Sequence, residues 1–223
     1  MKKGFDQQRV GVITASNLHK VINVTPEKMS QTAKSYLMKV FSDKFIMPDF
    51  MEEATWNSVS SYAIRWGNDH EEEAINYFNL IQSRHNDSKI ALQNEGFYYN
   101  NSIKFGATTD AFIVENTNHS IVDGCLEVKC PYDPSNQMKR FVEGIPREYY
   151  WQCIGQLITM DAITRCTFAS YDPRLESKYK LYTEVIHRSD VVDDMNRALA
   201  AIKTCNEYLE SLVTDLMDIE EEN

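Results

Sequence analysis

The chain has 223 residues, 43% hydrophobic and 25% charged, an ordinary balance for a globular protein and enough length to bury a substantial core. Its formal net charge of −10 excludes nucleic-acid recognition through a global positive field, so any DNA contact has to rest on a local basic lining or on enclosure of the duplex. No apolar run reaches membrane-spanning length and the start, MKKGFDQQRV, lacks the apolar stretch of a signal peptide, so the expectation is a cytoplasmic protein with no membrane segment.

In chain order, Arg9-Val10-Gly11-Val12-Ile13-Thr14-Ala15-Ser16 leads into a helix predicted over residues 17–24, with Leu18, Val21 and Ile22 on its apolar face. Thr14 or Ser16 can cap it, and a helix N-terminus with a hydroxyl and an arginine nearby is equally an anion site. A second helix is predicted over 30–45 from the spacing of Tyr36, Leu37, Val40 and Phe41, and Pro48 ends the pattern. In a third helix, covering Trp66 to Phe78, the residues Ala74, Ile75 and Phe78 lie three, four and seven places beyond Glu71. Glu71 therefore shares the buried stripe and needs a partner: a metal, a cation or a hydrogen-bond donor. His70 reads as structural.

The chemistry converges on GATTDAFIVENTNHSIVDGCLEVKCP, residues 106–131. Residues 105–114 read as one extended segment, 115–120 as a loop, and 125–130 as a second extended segment. Strand alternation puts Glu127 and Lys129 on one face, roughly 7 Å apart along the backbone, with Leu126, Val128 and Cys130 turned into a core. A hairpin-like return brings Asp110 towards Glu127. Two carboxylates with an ammonium beside them can hold a divalent cation; the same residues are also compatible with a solvated ion pair.

Beyond the hairpin, a helix over 136–144 carries Lys139 and Arg140, either phosphate contacts or a solvated face. A helix over 147–160 sets Tyr149, Gln152 and Gln156 on one stripe and Tyr150, Cys153, Ile154, Leu157 and Ile158 on an apolar side, so Gln152 can point in beside the carboxylates. Residues 165–171 and 179–187 alternate as strands around the turn Asp172-Pro173-Arg174. The chain is predicted to close with a helix over 189–216 and an acidic tail over 217–223. Five cysteines (125, 130, 153, 166 and 205) without CxxC spacing read as reduced core thiols rather than a metal or iron–sulfur set. The order of elements predicts one α/β domain over 1–223 with a central mixed sheet flanked by helices.

RVGVITAS (9–16), WGNDHEEEA (66–74), TTDAF (108–112), LEVKCP (126–131), YYWQ (149–152) and YDPR (171–174) together resemble the lambda-exonuclease-like, YqaJ-type viral recombinase nucleases of the PD-(D/E)xK superfamily. The resemblance implies a magnesium-dependent 5′→3′ exonuclease on linear double-stranded DNA, using two ions with manganese able to substitute, that leaves 3′ overhangs for a single-strand annealing protein. It also implies a ring-shaped homotrimer. By motif, Asp110, Glu127, the Val128 carbonyl and Glu71 are the metal ligands, Lys129 positions or helps deprotonate the attacking water, and Gln152 stands beside them. Arg9, Ser16 and Thr108 match positions that hold a 5′-phosphate, and Phe5 stands where the family has tryptophan. Thr108 replaces the usual serine and Thr109 the motif proline. The alternatives are a restriction-type or junction-resolving endonuclease on the same core, and a non-catalytic DNA-binding recombination scaffold.

Overall fold

The computed structural model describes residues 7–47, 62–85, 88–94, 96–115 and 122–221, with the backbone alone at 7, 122–123 and 217–221. Phe5, the break at Pro48, the loop over 116–120 and the last two residues of the expected tail lie outside the described residues.

Two mixed sheets form the frame. The larger has strand order β2-β5-β6-β7-β8, where β2 is Lys89–Gln93, β5 Ala111–Glu115, β6 Val122–Lys129, β7 Arg165–Tyr171 and β8 Leu181–His187. Its neighbours pair antiparallel except β6 and β7, which run parallel with Glu127 opposite Phe168 and Lys129 opposite Ser170. A parallel pair needs a crossover, and this one carries two helices, α4 (Pro134–Glu143) and α5 (Arg147–Thr159). The smaller sheet has order β1-β4-β3, from Ile13–Thr14, Phe105–Thr108 and Phe97–Asn100, with β1 parallel and β3 antiparallel to β4.

The two faces of the larger sheet bury different partners. Leu126, Val128, Ala169 and Tyr171 pack with Ala111 and Ile113 against Ala74, Ile75 and Phe78 of α3 (Tyr62–Arg84). On the opposite face Cys125, Cys166, Phe168 and Ile186 join a larger core with α5, which is buried from Cys153 to Thr159. The short α1 (Leu18–Val21), α2 (Gln31–Asp43) and the long α6 (Val192–Glu221) complete that layer. Ser30 caps α2 by accepting from the Ala33 N–H at 3.2 Å. Gly155 lets α5 settle directly on the Ala15 turn, where a Cβ would come within 2.6 Å of the Ala15 Cβ.

Several sequence expectations change. Residues 105–114 are not one strand: β4 ends at Thr108 in the small sheet and β5 begins at Ala111 in the large one. Thr109 is fully buried at the crossing, its hydroxyl facing the carbonyls of Ala111 at 3.1 Å and Leu126 at 3.0 Å. The helix expected over 17–24 is only Leu18–Val21, preceded by a strand at Ile13–Thr14 and a 3-10 turn at Ala15–Asn17. The last helix starts at Val192, after a 3-10 turn at Arg188–Asp190, and continues to Glu221, so most of the stretch expected as an acidic tail is helical. Among the described residues no helix is long and apolar enough to cross a membrane.

Candidate active site

The pairing of β5 with β6 places Ala111 opposite Leu126, which sets Asp110, one residue earlier, beside Glu127 and Val128. Asp110 is tied down on three sides: its N–H donates to the Leu126 carbonyl at 3.2 Å, its own carbonyl accepts from the Asn94 N–H at 2.9 Å, and Oδ2 accepts from the Val128 N–H at 2.7 Å. Glu127 points to the α5 face and is 1% exposed. A solvated ion pair is therefore ruled out for Glu127, since a carboxylate at this depth has to be compensated by partners.

Those partners converge from strand and helix. Lys129 Nζ donates to Glu127 Oε1, and Gln152 Nε2 donates to the same oxygen at 2.6 Å. Gln156 Nε2 donates to Oε2 and also to the Thr108 carbonyl at 3.0 Å. Burial, and then the Asp110 charge, push the Glu127 carboxyl up to about 7, with Lys129 and Gln156 partly offsetting the shift. Burial works against the charged form of Lys129, but the Glu127 and Asp110 carboxylates more than reverse it and hold the ammonium above the usual lysine range. Lys129 is therefore a protonated donor in this arrangement, 5.2 Å from the centre of the Tyr149 ring.

Gln156 was not singled out as a site residue by the sequence, yet it is the most enclosed group here. It is fully buried, and its Oε1 accepts from the thiols of Cys125 and Cys166, each at 3.1 Å. Those donors fix which end of the amide faces Glu127. The available signal was its position four residues after Gln152, one turn along the same helix face.

Glu71 is half-buried on α3, on the other side of the sheet from α5. Its charge contributes to raising the Cys130 thiol, after burial, to about 12. Among the described residues no group of three or more His, Cys, Asp or Glu side chains that could hold a metal ion is found. The Asp110–Glu127 pair nevertheless has the character of a hard-cation site. Both donors are oxygens, and their mutual repulsion is what a divalent ion relieves; magnesium is commonly held by one or two carboxylates plus water and phosphate.

Of the expected phosphate residues, Thr108 ends β4 of the small sheet, and Arg9 and Ser16 lie in 3-10 turns before and after β1. Thr14 pairs with Gly106 in the parallel β1/β4 register, so Ser16 and Thr108 each lie two residues further on. Ser16 Oγ is 3.2 Å from Thr14 Oγ1, and the Arg9 guanidinium lies 5.7 Å from the centre of the Phe97 ring, whose residue pairs with Thr108. Lys139 and Arg140 sit on α4. Arg140 lines a cavity of about 620 Å³ that also reaches Lys129, Tyr132, Asn136 and Tyr149. The YDPR segment braces this region. Arg174 donates to both Asp172 oxygens, at 2.9 and 2.7 Å, and to the Tyr132 carbonyl at 2.8 Å, and its guanidinium lies 4.2 Å from the Trp66 ring centre.

No curated protein sequence matches the chain. Among solved structures it is similar to LHK-Exo in complex with dAMP, with TM-score 0.71 and 20% identity, covering 95% of this chain and 96% of that one. It is also similar to an alkaline exonuclease (LHK-Exo) from Laribacter hongkongensis, with TM-score 0.69, 20% identity and the same coverage. A phage related exonuclease from Haemophilus somnus 129PT gives TM-score 0.59 and 17% identity, covering 92% of this chain and 96% of that one. At these identities the likeness concerns the fold. A family model described as the YqaJ-like viral recombinase domain matches residues 4–167, and with most of its length inside that match, the chain belongs to the YqaJ-like viral recombinase family.

Proposed function

We propose that the chain is a magnesium-dependent exodeoxyribonuclease that degrades one strand of linear double-stranded DNA from its 5′ end, leaving 3′ overhangs for strand annealing in phage-type recombination. The observation that carries this reading is the hydrogen-bonded cluster of Asp110, just before β5, with Glu127 and Lys129 on β6 and Gln152 on α5, in a chain of the YqaJ-like viral recombinase family whose structural neighbours include an alkaline exonuclease.

Asp110 and Glu127 would hold the cation with the Val128 carbonyl, and Glu71 would serve a second ion from the α3 side. When bound, magnesium supplies Lewis-acid polarisation of the phosphate and charge neutralisation at the scissile bond. Manganese would substitute, being served by the same oxygen donors. Lys129, beside the Glu127 carboxylate, would position the attacking water or help deprotonate it. Gln152 holds Glu127 Oε1 and so keeps that oxygen from turning away. Arg9, Ser16 and Thr108 seat the terminal 5′-phosphate, which selects the bond presented to the carboxylates. Phe5 would stack near the terminal base. A homotrimeric ring enclosing the duplex would answer the chain's negative charge, and a single-strand annealing protein would receive the overhang.

The test is digestion of linear duplexes bearing a 5′-phosphate or a 5′-hydroxyl, beside supercoiled circles, with magnesium or with a chelator. Release of mononucleotides from the phosphorylated linear duplex alone, abolished by the chelator, is the expected result. Cutting of the circle would replace the exonuclease with an endonuclease on the same core. Absence of any magnesium-dependent product would leave a DNA-binding scaffold.

A further inference from the structure

The cavity beside Lys129 poses a question of affinity. The charged side chains lining it are Lys129, Arg140, Asp133 and Glu148, two of each sign, and the whole chain carries −10. Phosphate attraction from the side chains lining it is weak, so a strand entering it needs a hold besides theirs. The rim supplies aromatic rings instead. Tyr132 lines the cavity and is 47% exposed, and Tyr62 is 59% exposed with its ring centre 4.9 Å from that of Tyr132. Trp66 backs Tyr132 edge-on at 6.0 Å, and Arg174 lies over Trp66 and 6.0 Å from the Tyr132 ring centre. Arg174 is itself fixed by Asp172 and by the Tyr132 carbonyl. Exposed aromatic rings held in a braced array offer ready faces to another flat apolar surface, and every nucleobase has one. A cavity of about 620 Å³ falls in the range that admits a nucleotide-sized ligand.

We propose that Tyr62 and Tyr132 form a base-stacking ledge that takes unpaired bases of a DNA strand at the cavity beside Lys129. The inference rests on the site acting on DNA and deepens that reading by naming how the strand is held. Stacking is indifferent to base identity and only weakly sensitive to salt, whereas phosphate contacts are screened. Binding through the ledge therefore has a shallow salt dependence for a nuclease.

The experiment is fluorescence anisotropy of 5′-phosphorylated single-stranded oligonucleotides, with calcium in place of magnesium, across a salt series. Tyr62→Leu, Tyr132→Leu and Tyr132→Trp are compared with the wild type, after thermal melts verify folding. The leucine variants are expected to bind about tenfold or more weakly with an unchanged salt slope, and Tyr132→Trp to bind as tightly as the wild type. Scanning an abasic nucleotide along the oligonucleotide is expected to find a position where the lesion and Tyr132→Leu are non-additive. Wild-type affinity in both leucine variants, or additivity at every position, overturns the ledge. Nucleotide release by the wild type is assayed in parallel. If release occurs and the ledge test fails, only this inference falls; if stacking is seen without release, the nuclease reading falls and the ledge stands.

Discussion

Asp110 Oδ2 accepts a hydrogen bond from the Val128 N–H at 2.7 Å, so one carboxylate is locked onto the backbone of the strand that carries the other. Fixed this way, Asp110 cannot swing away from Glu127, and its charge is a cause of the raised Glu127 carboxyl. Asp110→Asn keeps an acceptor for Val128 and removes the repulsion. Without metal the variant gains from the lost repulsion of Glu127 but loses the attraction for the Lys129 ammonium, so its stability is expected to stay within about 1 kcal/mol of the wild type. Magnesium is expected to raise the wild-type melting temperature and leave the variant's unchanged, while nuclease activity is lost in the variant. Thermal denaturation with chelator and with magnesium measures both effects; an equal magnesium shift in the two proteins would remove Asp110 from the cation site.

Gln156 joins Glu127, the Thr108 carbonyl and two thiols through one amide. Gln156→Leu keeps the approximate volume and removes one hydrogen-bond partner from each of the four groups. The expected cost is about 1–3 kcal/mol of stability and a ~10–100-fold loss of activity or metal affinity, typical of residues that orient a ligand. Chemical denaturation and a magnesium titration of the rate separate the two. A stability loss with an unchanged magnesium dependence would reduce Gln156 to a packing role.

Asp172 is fully buried against Arg174. Burial alone would raise its carboxyl, but the Arg174 hydrogen bonds and charge reverse that and hold it below the usual range. A depressed carboxyl contributes stability that is fully present above its unfolded value near 3.9 and is lost as pH falls through the lower folded value. Arg174→Ala is expected to cost about 2 kcal/mol at neutral pH, less than the ~3–5 kcal/mol of a fully enclosed pair because the guanidinium is partly exposed. The deficit should shrink in acid. Urea melts at pH 7 and at about pH 3 check the sign; a constant deficit would locate the loss in packing against Trp66.

All five cysteines are free and buried. Burial, followed by the Glu71 charge, pushes Cys130 up to about 12, and burial brings Cys205 to about 12. Since the thiolate is the reactive form, the native protein is expected to resist iodoacetamide at pH 8 while the urea-unfolded chain takes up five labels. Mass spectrometry counts them. Rapid native labelling at Cys130 would mean that the end of β6 opens.

The alternation of LEVKCP was legible because β6 is buried differently on its two faces: Leu126 and Val128 on one, Glu127 on the other. The helix holding Gln152 was legible for the same reason of periodicity. The break at Thr109 was not, since a β-branched residue between two apolar runs has no local mark of a change of sheet. The strands Lys89–Gln93 and Phe97–Asn100 were missed because they are short, and what holds them lies on other elements. The edge strand β2, for example, is gripped at Ala91 by the Asn79 amide of α3, at 2.7 and 2.9 Å. Gln156 was visible as a residue of the stripe but not as a site, because its role depends on Thr108 and on the thiols of two other strands.

The crossing at Thr109 has one more outcome. Thr108 ends one sheet and Asp110 stands just before the next, so a single residue, Thr109, separates the residue that would help seat the strand's terminal phosphate from the residue that would hold the cation. Such a spacing has no play in it. On the proposed reading, the length of each excised fragment is a property of the backbone, the same at every turn of the enzyme whatever bases pass through.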